Sequence, residues 1–371
     1  MTGLHITMVS SEFPPHCGGL GYFIKNLSSM LIKKGHHVSV ITRGNSFSVI
    51  KKTIEGVDIY FVPFFLSSPF GMWSHGRRVN SLIKSIKTDV FHLHSPLVPR
   101  IISTKPKIVT IHGICSEWIG KYFSFRDWRF YYMYLFSRIY SFLESSVLHT
   151  VNAIVYMTET SRKELQRYKD LPNLVKITNA SNFQFEGSAK RENTLLFVGK
   201  LVHGKGVVEL IKAIKDIYEK VPKFRFLFIG NGHLLSFLRS YKKKHGLARL
   251  EIIPYVPNEK MAEYYSSSSI FALPSYYETM SNAILEAMSC GLPVIVSNIS
   301  ANREIIKERT NGLLVKPGDV KALSHALLYL INNKKQRELM GNNNLRLIKK
   351  IYNWDSISDQ YISLYKGVLQ K

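Results

Sequence analysis

The chain has 371 residues, 45% of them hydrophobic, and its 50 Lys and Arg against 26 Asp and Glu give a formal net charge of +24. This length suits two domains that each bury a core, and no apolar run reaches the roughly eighteen residues that a membrane span needs. The charge favours polyanions such as nucleic acid, anionic lipid headgroups or phosphorylated substrates. No RNA-binding or helix-turn-helix signature accompanies it, so nucleic acid is not an expected partner.

The N-terminus and the cysteines bear on location. Residues 4–10 lack a basic lead and are predicted to form a first strand, not a signal peptide. Cys17, Cys115 and Cys290 have no paired spacing, so they form no zinc site alone and fit a reducing compartment. We therefore expect a cytoplasmic protein. An anionic membrane surface is a candidate partner, since it attracts basic residues by roughly 1 kcal/mol each.

Strands alternate with helices through the first half of the chain. A strand over 4–10 leads into Gly18 and Gly19, and a helix over 20–34 follows. The alternation is typical of a doubly wound parallel sheet. Further along we predict strands over 37–42, 57–62, 90–94, 107–113 and 153–157, a mobile segment over 64–76 and a long aromatic helical region over 118–150.

A second alternating set follows a polar, irregular stretch over 181–193, which we interpret as the interdomain linker. The predicted domains are 1–184, 185–350 and a helical C-terminal segment, 351–371, with aromatic and aliphatic residues at helical spacing. In the second domain we predict strands over 194–199, 224–230, 250–253, 270–273 and 293–296, and helices over 206–219, 259–266, 280–289, 319–332 and 335–350.

The most informative segment is 274–294, which places Glu278 and Glu286 around a predicted helix start and ends that helix at Gly291. An apolar strand lies on each side, so the segment completes a βαβ unit. Ligands of such sheets bind outside the carboxyl ends of the strands, where Glu278 falls. If the helix starts near Thr279 or Met280, Glu286 lies about two turns in, roughly 10 Å along the axis.

The first-turn amides of that helix, at Met280, Ser281 and Asn282, would point into the same space with the positive end of the helix dipole behind them. This arrangement suits a ligand with an anionic middle and hydroxyls at both ends, which is the form of a nucleotide-sugar. The alternative is that both glutamates are solvated charges on a helix face.

Two glycine-containing loops are further candidates for phosphate binding. Gly18 and Gly19 lie at the first strand-to-helix turn, where the lack of Cβ lets the backbone approach a ligand. Lys200 and Lys205 follow a strand that ends near Gly199, and lysines there would bind a phosphate. The alternatives are a structural tight turn and solvated lysines.

Taken together, these motifs resemble retaining glycosyltransferase family 4, the glycosyl transferases group 1. The resemblance rests on Gly18–Gly19, on Gly-Lys-Leu with Lys-Gly over 199–206, and on Glu278, Glu286 and the Ala-Met-Ser-Cys-Gly-x-Pro-Val run over 287–294. They occur in the family's order across nearly the whole chain. The resemblance implies a GT-B fold, in which two Rossmann-like doubly wound parallel-sheet domains face a cleft. The N-terminal domain would bind the acceptor and the C-terminal domain the nucleotide-sugar, and a C-terminal helix would cross back to the first domain.

The resemblance also implies catalytic roles. His112, in a Thr-x-His-Gly setting, would contact the donor sugar near the reacting carbon, Glu278 would bond the sugar hydroxyls, and Lys205 would hold the diphosphate. No carboxylate of the first domain stands out, so we expect the front-face attack described for the family, with the leaving phosphate as base and no metal or other cofactor. A buried structural histidine is the alternative for His112; for His92 and His94 we favour a structural role.

For donor binding, the resemblance implies that Glu286 bonds the ribose hydroxyls and that Gly18 and Gly19 meet the diphosphate or the sugar. Two departures bear on the site. Lys200 stands where the family has arginine, a planar bidentate donor that lysine does not replace. The family's Asn-Gly-x-Asp is Asn-Ala-Ser-Asn here, at 179–182. The remaining implied donor-binding residues are Gly199, Gly230, Met280, Ser281 and Asn282.

The segment 118–142 is dense in aromatic residues interleaved with Lys121, Arg126, Arg129 and Arg138. Rings beside cations suit a bilayer interface, where rings sit at headgroup depth and cations meet lipid phosphate. The alternative is a helix pair that covers the sheet.

The sequence thus predicts a retaining, metal-independent hexosyltransferase that uses a nucleotide-diphosphate sugar. A glycan or a lipid-linked acceptor is the expected second substrate, and the inner face of the membrane a candidate location. A nucleotide-sugar 2-epimerase of the same fold, or a non-catalytic basic protein that binds RNA or membrane, are the alternatives. The intact Glu278, Glu286 and Lys205 speak against both.

Overall fold

A computed structural model describes residues 3–14, 17–65, 68–96, 98–114, 128–181 and 191–370. Contacts divide the chain into two compact units. The described residues of the first unit run up to Asn179 and resume at Trp354, and those of the second lie within Ala180–Asn353. The predicted linker falls largely on residues 182–190, which lie outside the described residues.

The first unit contains an eight-stranded sheet. Its strands are β1 (His5–Val9), β2 (His37–Gly44), β3 (Ile50–Ile54), β4 (Val57–Pro63), β5 (Val90–Ser95), β6 (Lys107–Ile111), β7 (Ala153–Tyr156) and β8 (Asn173–Lys176). In the order β3-β4-β2-β1-β5-β6-β7-β8, all neighbours pair in parallel except β3 and β4. The chain changes direction across the sheet between β1 and β5, which makes that junction the topological switch point of the unit.

The antiparallel edge strand β3 was not predicted. It joins β4 through Glu55 and Gly56, both at positive φ (51° and 79°), as a two-residue hairpin turn requires. All five of its residues are exposed, so the strand carries no apolar alternation by which the sequence could reveal it.

Before the chain enters the second unit, its described residues form helices α1 (Gly19–Lys33), α2 (Pro69–Leu82), α3 (Trp128–Leu148) and α4 (Glu159–Leu165). The expectation of a mobile segment over 64–76 is wrong, because α2 begins within it. Proline occupies the first helical position, and the Ser68 hydroxyl caps the helix by accepting from the amide of Gly71 at 3.1 Å. Of the predicted aromatic region, 118–127 lies outside the described residues.

The second unit contains a six-stranded, fully parallel sheet in the order β11-β10-β9-β12-β13-β14. Its strands are β9 (Thr194–Val198), β10 (Arg225–Ile229), β11 (Leu250–Ile253), β12 (Ile270–Leu273), β13 (Val294–Ser297) and β14 (Gly312–Val315). Its helices are α5 (Val207–Ile217), α6 (Leu235–Lys244), α7 (Asn258–Ser267), α8 (Asn282–Ser289), α9 (Ser300–Ile305), α10 (Val320–Asn332) and α11 (Lys334–Ile351). The switch point lies between β9 and β12, where the chain turns to build the other half of the sheet.

The last helix, α12 (Trp354–Leu369), returns to the first unit, as the resemblance implied. Its Trp354 ring packs 5.3 Å from the ring of Phe23 in α1, and Lys34 Nζ lies 2.6 Å from Asp359 Oδ1. Its own Tyr361 and Tyr365 are fully buried. The C-terminal segment is therefore part of the core of the first unit.

Candidate functional site

In the second unit, three loops meet at the carboxyl end of the sheet, beside the switch point. They follow β9, β10 and β12, which are neighbours in the sheet. The amide of Leu201 donates to the carbonyl of Asn231 at 2.9 Å, and the amide of Tyr276 donates to the carbonyl of Gly204 at 2.9 Å. These two bonds join the β9 loop to both of the others.

Lys205 and Glu278 form an ion pair across this junction. Lys205 Nζ lies 2.6 Å from Glu278 Oε1, and only 14% and 8% of the two side chains are exposed. Lys205 ends a single 3₁₀ turn before α5, and Glu278 lies in the loop between β12 and α8. Two predicted site residues, 73 positions apart, are thus held in direct contact.

Glycine is required where the loops approach one another. Gly206, next to Lys205, has φ +66°, and a Cβ there would overlap the carbonyl oxygen of Pro274. A Cβ on Gly230, at φ +147°, would overlap the carbonyl oxygen of Gly199. Gly206 and Gly230 therefore let the backbones touch at the site, whatever ligand they meet.

The two candidate lysines occupy different environments. Lys200 is exposed at the start of the β9 loop, whereas Lys205 is largely buried against Glu278. A solvated ammonium is not fixed in position, so only Lys205 is oriented by the fold. The sequence alone did not distinguish the two lysines by their exposure.

Helix α8 begins later than predicted. Its first helical residue is Asn282, with Ser281 as the N-cap, so its first-turn amides belong to Asn282, Ala283 and Ile284. Met280 lies before the helix. The extended backbone of Ser281 (φ −74°, ψ 121°) delays the start. Glu286 is consequently about one turn into the helix, roughly 6 Å along the axis and not two turns.

Glu286 accepts a hydrogen bond from the hydroxyl of Tyr265, which lies 2.8 Å from its Oε2. Burial raises the pKa of Glu286 to about 7, although the Tyr265 bond opposes that shift. The carboxylate is thus poised between its two protonation states at neutral pH. Tyr265, fully buried in α7, was not anticipated from the sequence, because nothing in its local pattern marks a partner on α8.

In the first unit, Gly18 and Gly19 lie at the start of α1, after β1. The amide of Gly18 donates to Glu12 Oε2 at 3.0 Å. This amide, which the resemblance assigned to a diphosphate or a sugar, is held by a carboxylate of the same loop. Glu12 is an additional residue of this loop that the sequence analysis did not identify.

His112 follows β6, and His94 is on the adjacent strand β5. His94 Nδ1 lies 3.2 Å from His112 Nε2, and the ring of Phe23 packs edge-on 4.7 Å from that of His112. Burial lowers the pKa of His112 to about 3 and that of His94 well below its ordinary value. His112 is therefore a neutral imidazole at physiological pH.

His92 belongs to the same polar layer. Its Nδ1 lies 2.8 Å from the hydroxyl of Tyr365, and its Nε2 lies 2.7 Å from Thr110 Oγ1, which is 3.1 Å from the hydroxyl of Tyr361. The two tyrosines come from α12, so the returning helix supplies polar partners to the sheet beneath it. We predicted structural roles for His92 and His94, and His92 is fully bonded in the core.

Within the described residues, no group of three or more His, Cys, Asp or Glu is placed to hold a metal ion. Among the described helices, none is long and apolar enough to span a bilayer. Of the aromatic segment 118–142, the part within α3 exposes Tyr131, Tyr134 and Phe142. These aromatic side chains therefore do not simply fill the core.

The second unit can orient a polyhydroxylated anionic ligand. It offers a fixed ammonium at Lys205 and carboxylates at Glu278 and Glu286, all at the carboxyl end of a parallel sheet. The two Rossmann-like units with a returning C-terminal helix define a GT-B protein, as expected from the sequence. In overall fold the chain resembles sucrose-phosphate synthase from Thermosynechococcus elongatus, with a TM-score of 0.82, 19% identity and 99% of both chains covered.

Comparison of the sequence gives the family. The profile of Glycosyltransferase Family 4 matches residues 17–180, and that of Glycosyl transferases group 1 matches residues 179–346. The chain belongs to this family of glycosyltransferases. It is 27% identical to an uncharacterized glycosyltransferase of Methanocaldococcus jannaschii over 99% of both chains. It is 26% identical to a phosphatidylinositol N-acetylglucosaminyltransferase subunit from Arabidopsis thaliana, over 99% of this chain and 83% of the relative.

Proposed function

We propose that the protein transfers a hexosyl group from a nucleotide-diphosphate sugar to an acceptor hydroxyl, with retention at the anomeric carbon and without a metal. The observation that carries this proposal is the buried Lys205–Glu278 pair at the switch point of the second unit. A cation fixed there stabilises the charge that develops on a leaving diphosphate. The carboxylate beside it accepts hydrogen bonds from sugar hydroxyls.

We assign the donor's remaining groups to other residues. Glu286, one turn into α8, accepts from the ribose hydroxyls, and Tyr265 orients its carboxylate. The first-turn amides of α8 and the β9 loop at Gly199 face the phosphates, where the positive end of a helix dipole is favourable. His112 serves as a neutral hydrogen-bonding group for the sugar, because a ring with a pKa of about 3 is not the charged imidazolium at neutral pH and keeps a single N–H to donate.

The reaction then needs no protein nucleophile. The acceptor oxygen attacks the anomeric carbon on the face from which the diphosphate leaves, and the bond from that carbon to the phosphate oxygen breaks. The acceptor's proton passes to the departing phosphate, so a nucleoside diphosphate and a glycoside of unchanged anomeric configuration result. Lys205 lowers the barrier by holding the charge of the leaving group.

For the acceptor we propose a lipid-linked or phospholipid hydroxyl, with the protein at the inner face of a membrane. Two observations support this. The Arabidopsis thaliana relative is by name a phosphatidylinositol glycosyltransferase. The net charge of +24 favours an anionic surface over a neutral soluble glycan.

The test is a thermal-shift panel of UDP-, GDP- and ADP-sugars in the presence of EDTA. A donor at a hundredfold over its Kd stabilises the fold by about 2.7 kcal/mol, and Lys205→Met should reduce that shift without abolishing it, because its larger effect is on turnover. The donor so found is then incubated with membrane lipid extract, and the anomeric configuration of the product is read by NMR. An inverted product, or a strict need for a divalent cation, would overturn the corresponding part of the proposal. Epimerised donor with no transfer would indicate a 2-epimerase.

A further inference from the structure

Helices α2 and α3 expose large apolar side chains to solvent. On α2, Phe70 is 68% exposed and Trp73 is 56% exposed. On α3, the exposed residues recur at helical spacing and include Tyr131, Tyr134, Leu135 and Phe142. We call these six residues the aromatic face. Soluble proteins rarely expose so many large apolar side chains together unless the surface binds something.

The two helices are neighbours. Met72 of α2 and Tyr140 of α3 form a buried cluster, against which Phe64, Phe136 and Leu143 pack. At about 100° per residue, Trp73 and Phe70 lie on a different side of α2 from Met72. On α3, the side opposite Tyr140 carries Tyr131, Tyr134, Leu135 and Phe142. Met72 and Tyr140 also line one cavity with Val109 of β6, so the buried side of each helix is the side that faces the sheet. The aromatic face is therefore what the two helices present on their solvent side.

The charges around the aromatic face are positive. The guanidinium of Arg77 lies 5.0 Å from the centre of the Trp73 ring, that of Arg78 lies 5.9 Å from the Phe65 ring, and Arg138 is exposed on α3. The sequence contains no Asp or Glu over 59–88 or over 128–143.

The first carboxylate along α3, Glu144, is buried and turned inward. It accepts hydrogen bonds from the hydroxyls of Ser95 at 3.1 Å and Tyr168 at 2.9 Å. It therefore offers no counter-charge on the exposed side of the helix. The aromatic face combines apolar side chains with cations that have no acidic neighbour along either helix.

We propose that the aromatic face docks the protein on an anionic phospholipid bilayer, with the rings and Leu135 inserted at headgroup depth and Arg77, Arg78 and Arg138 on lipid phosphates. This inference rests on the proposed function, because a lipid-linked acceptor would be bound at the membrane surface. Tryptophan and tyrosine are enriched at bilayer interfaces, and arginine beside them gains from anionic headgroups.

Other occupants fit the chemistry less well. A symmetric contact with a second copy would set the same three arginines against one another without a carboxylate to offset them. Single-stranded nucleic acid would stack on the rings but would gain nothing from Leu135 or from the aliphatic Ile139 beside it. A bilayer accommodates both the aliphatic and the aromatic side chains.

The experiment is vesicle cosedimentation of the full chain, with phosphatidylcholine alone and with phosphatidylcholine mixed with phosphatidylglycerol. The variants are Phe70→Ser with Trp73→Ser, Leu135→Ser with Phe142→Ser, and Arg77→Gln with Arg78→Gln. Phe237→Ser with Tyr255→Ser is the matched control, because both residues are exposed (42% and 65%) but belong to the second unit.

We expect the wild type to prefer the anionic vesicles, and less so as salt rises. Each apolar double variant should bind roughly tenfold more weakly or worse, because apolar burial supplies much of interfacial binding. The variant Arg77→Gln with Arg78→Gln should bind anionic vesicles roughly thirtyfold more weakly at low salt, since each basic residue contributes about a factor of five to the affinity. The control should bind like the wild type, and all variants should keep the wild-type melting temperature.

Vesicle binding that is unaffected by all three double variants would overturn the inference. So would a preference for single-stranded RNA that the same variants abolish, which would make the aromatic face a nucleic-acid site. Donor-induced thermal shifts on the same samples separate this inference from the proposed function. If the variants weaken vesicle binding but no donor raises the melting temperature, membrane docking would stand and glycosyl transfer would be refuted.

Discussion

The ammonium of Lys205 lies 2.6 Å from the carboxylate of Glu278, and both side chains are largely withdrawn from water. They come from loops after two neighbouring strands, β9 and β12, which flank the switch point of the second sheet. Because a buried charge is costly unless it is paired, each of these residues offsets the cost of burying the other. The pair is therefore a structural unit before any ligand arrives.

Breaking this pair should destabilise the protein and slow the reaction. We expect Lys205→Met or Glu278→Gln to cost about 3 kcal/mol or more in the free energy of unfolding, because each leaves one buried charge unpaired. The double variant should cost clearly less than the sum of the two. Chemical denaturation measures this, and the exposed pair Lys334–Glu338 is the control, with an expected coupling below about 0.5 kcal/mol.

The same variants test the assigned chemistry. Loss of the cation that stabilises the leaving group should lower kcat about a hundredfold or more, with a smaller effect on donor affinity. Lys200→Met should have a much weaker effect, because Lys200 is exposed at the loop. Equal losses in the two lysine variants would contradict the distinction that the structure draws between them.

The raised pKa of Glu286 predicts a pH-dependent stability. Its pKa is about 7 in the folded protein against an ordinary 4.5, so the folded state holds a proton that the unfolded chain releases between these values. Stability from this group is therefore present below pH 4.5 and lost as the pH rises through 7, a difference of about 3 kcal/mol. We expect Glu286→Gln to raise the melting temperature at pH 8 by several degrees and to leave it nearly unchanged at pH 4.5.

Nucleotide affinity gives the complementary measurement. The carboxylate form of Glu286 accepts two hydroxyl hydrogen bonds, whereas the acid form donates one of them, so donor affinity should rise between pH 6 and 8 in the wild type. In Glu286→Gln, affinity should be weaker and flat over this range. A pH dependence that survives the substitution would assign it to another group.

The proton positions of His94 and His112 are a third prediction. His94 Nε2 is buried with no hydrogen-bond partner among the residues that the structure describes, and an orphaned N–H is rarer in proteins than an orphaned acceptor. The single proton of neutral His94 should therefore lie on Nδ1 and be donated to His112 Nε2, 3.2 Å away. Neutral His112 then carries its own proton on Nδ1.

Nitrogen-15 NMR of histidine-labelled protein reports this tautomer directly. His94→Asn, which can keep an N–H donor near the position of Nδ1, should preserve the His112 tautomer and most of the turnover. His94→Leu should lose both. A pyridine-like shift for His112 Nδ1 in the wild type would refute the assignment.

The sequence predicted the strands and helices of both units best where apolar runs end in clear stop signals. Around 270–297 the strands agree within about a residue, because two buried runs flank a helix that Gly291 terminates. It did not reveal α2, in which glycine and histidine weaken the helical pattern, nor the exposed strand β3.

For the site, the sequence supplied residue types but not their partners. Tyr265 beside Glu286 and Glu12 beside Gly18 are set by which loops and helices pack together. The Lys205–Glu278 contact likewise depends on β9 lying next to β12, although β10 and β11 intervene in the chain. Only the order of strands in the sheet brings such residues within bonding distance.

The last prediction concerns the close approach of backbones at Gly206. Gly206 and Gly246 have similar positive φ angles, +66° and +62°. A Cβ on Gly206 would overlap the Pro274 carbonyl, whereas a Cβ on Gly246 would have no atom within 4 Å. Gly246→Ala should therefore cost only the left-handed strain, about 1 kcal/mol. Gly206→Ala should cost about 3 kcal/mol or more, because the β9 and β12 loops must separate. That separation would also pull Lys205 from Glu278, so turnover should fall along with stability only in the Gly206 variant. Denaturation and initial rates on both variants test the relation, and equal costs at the two glycines would show that the loops yield without disturbing the pair.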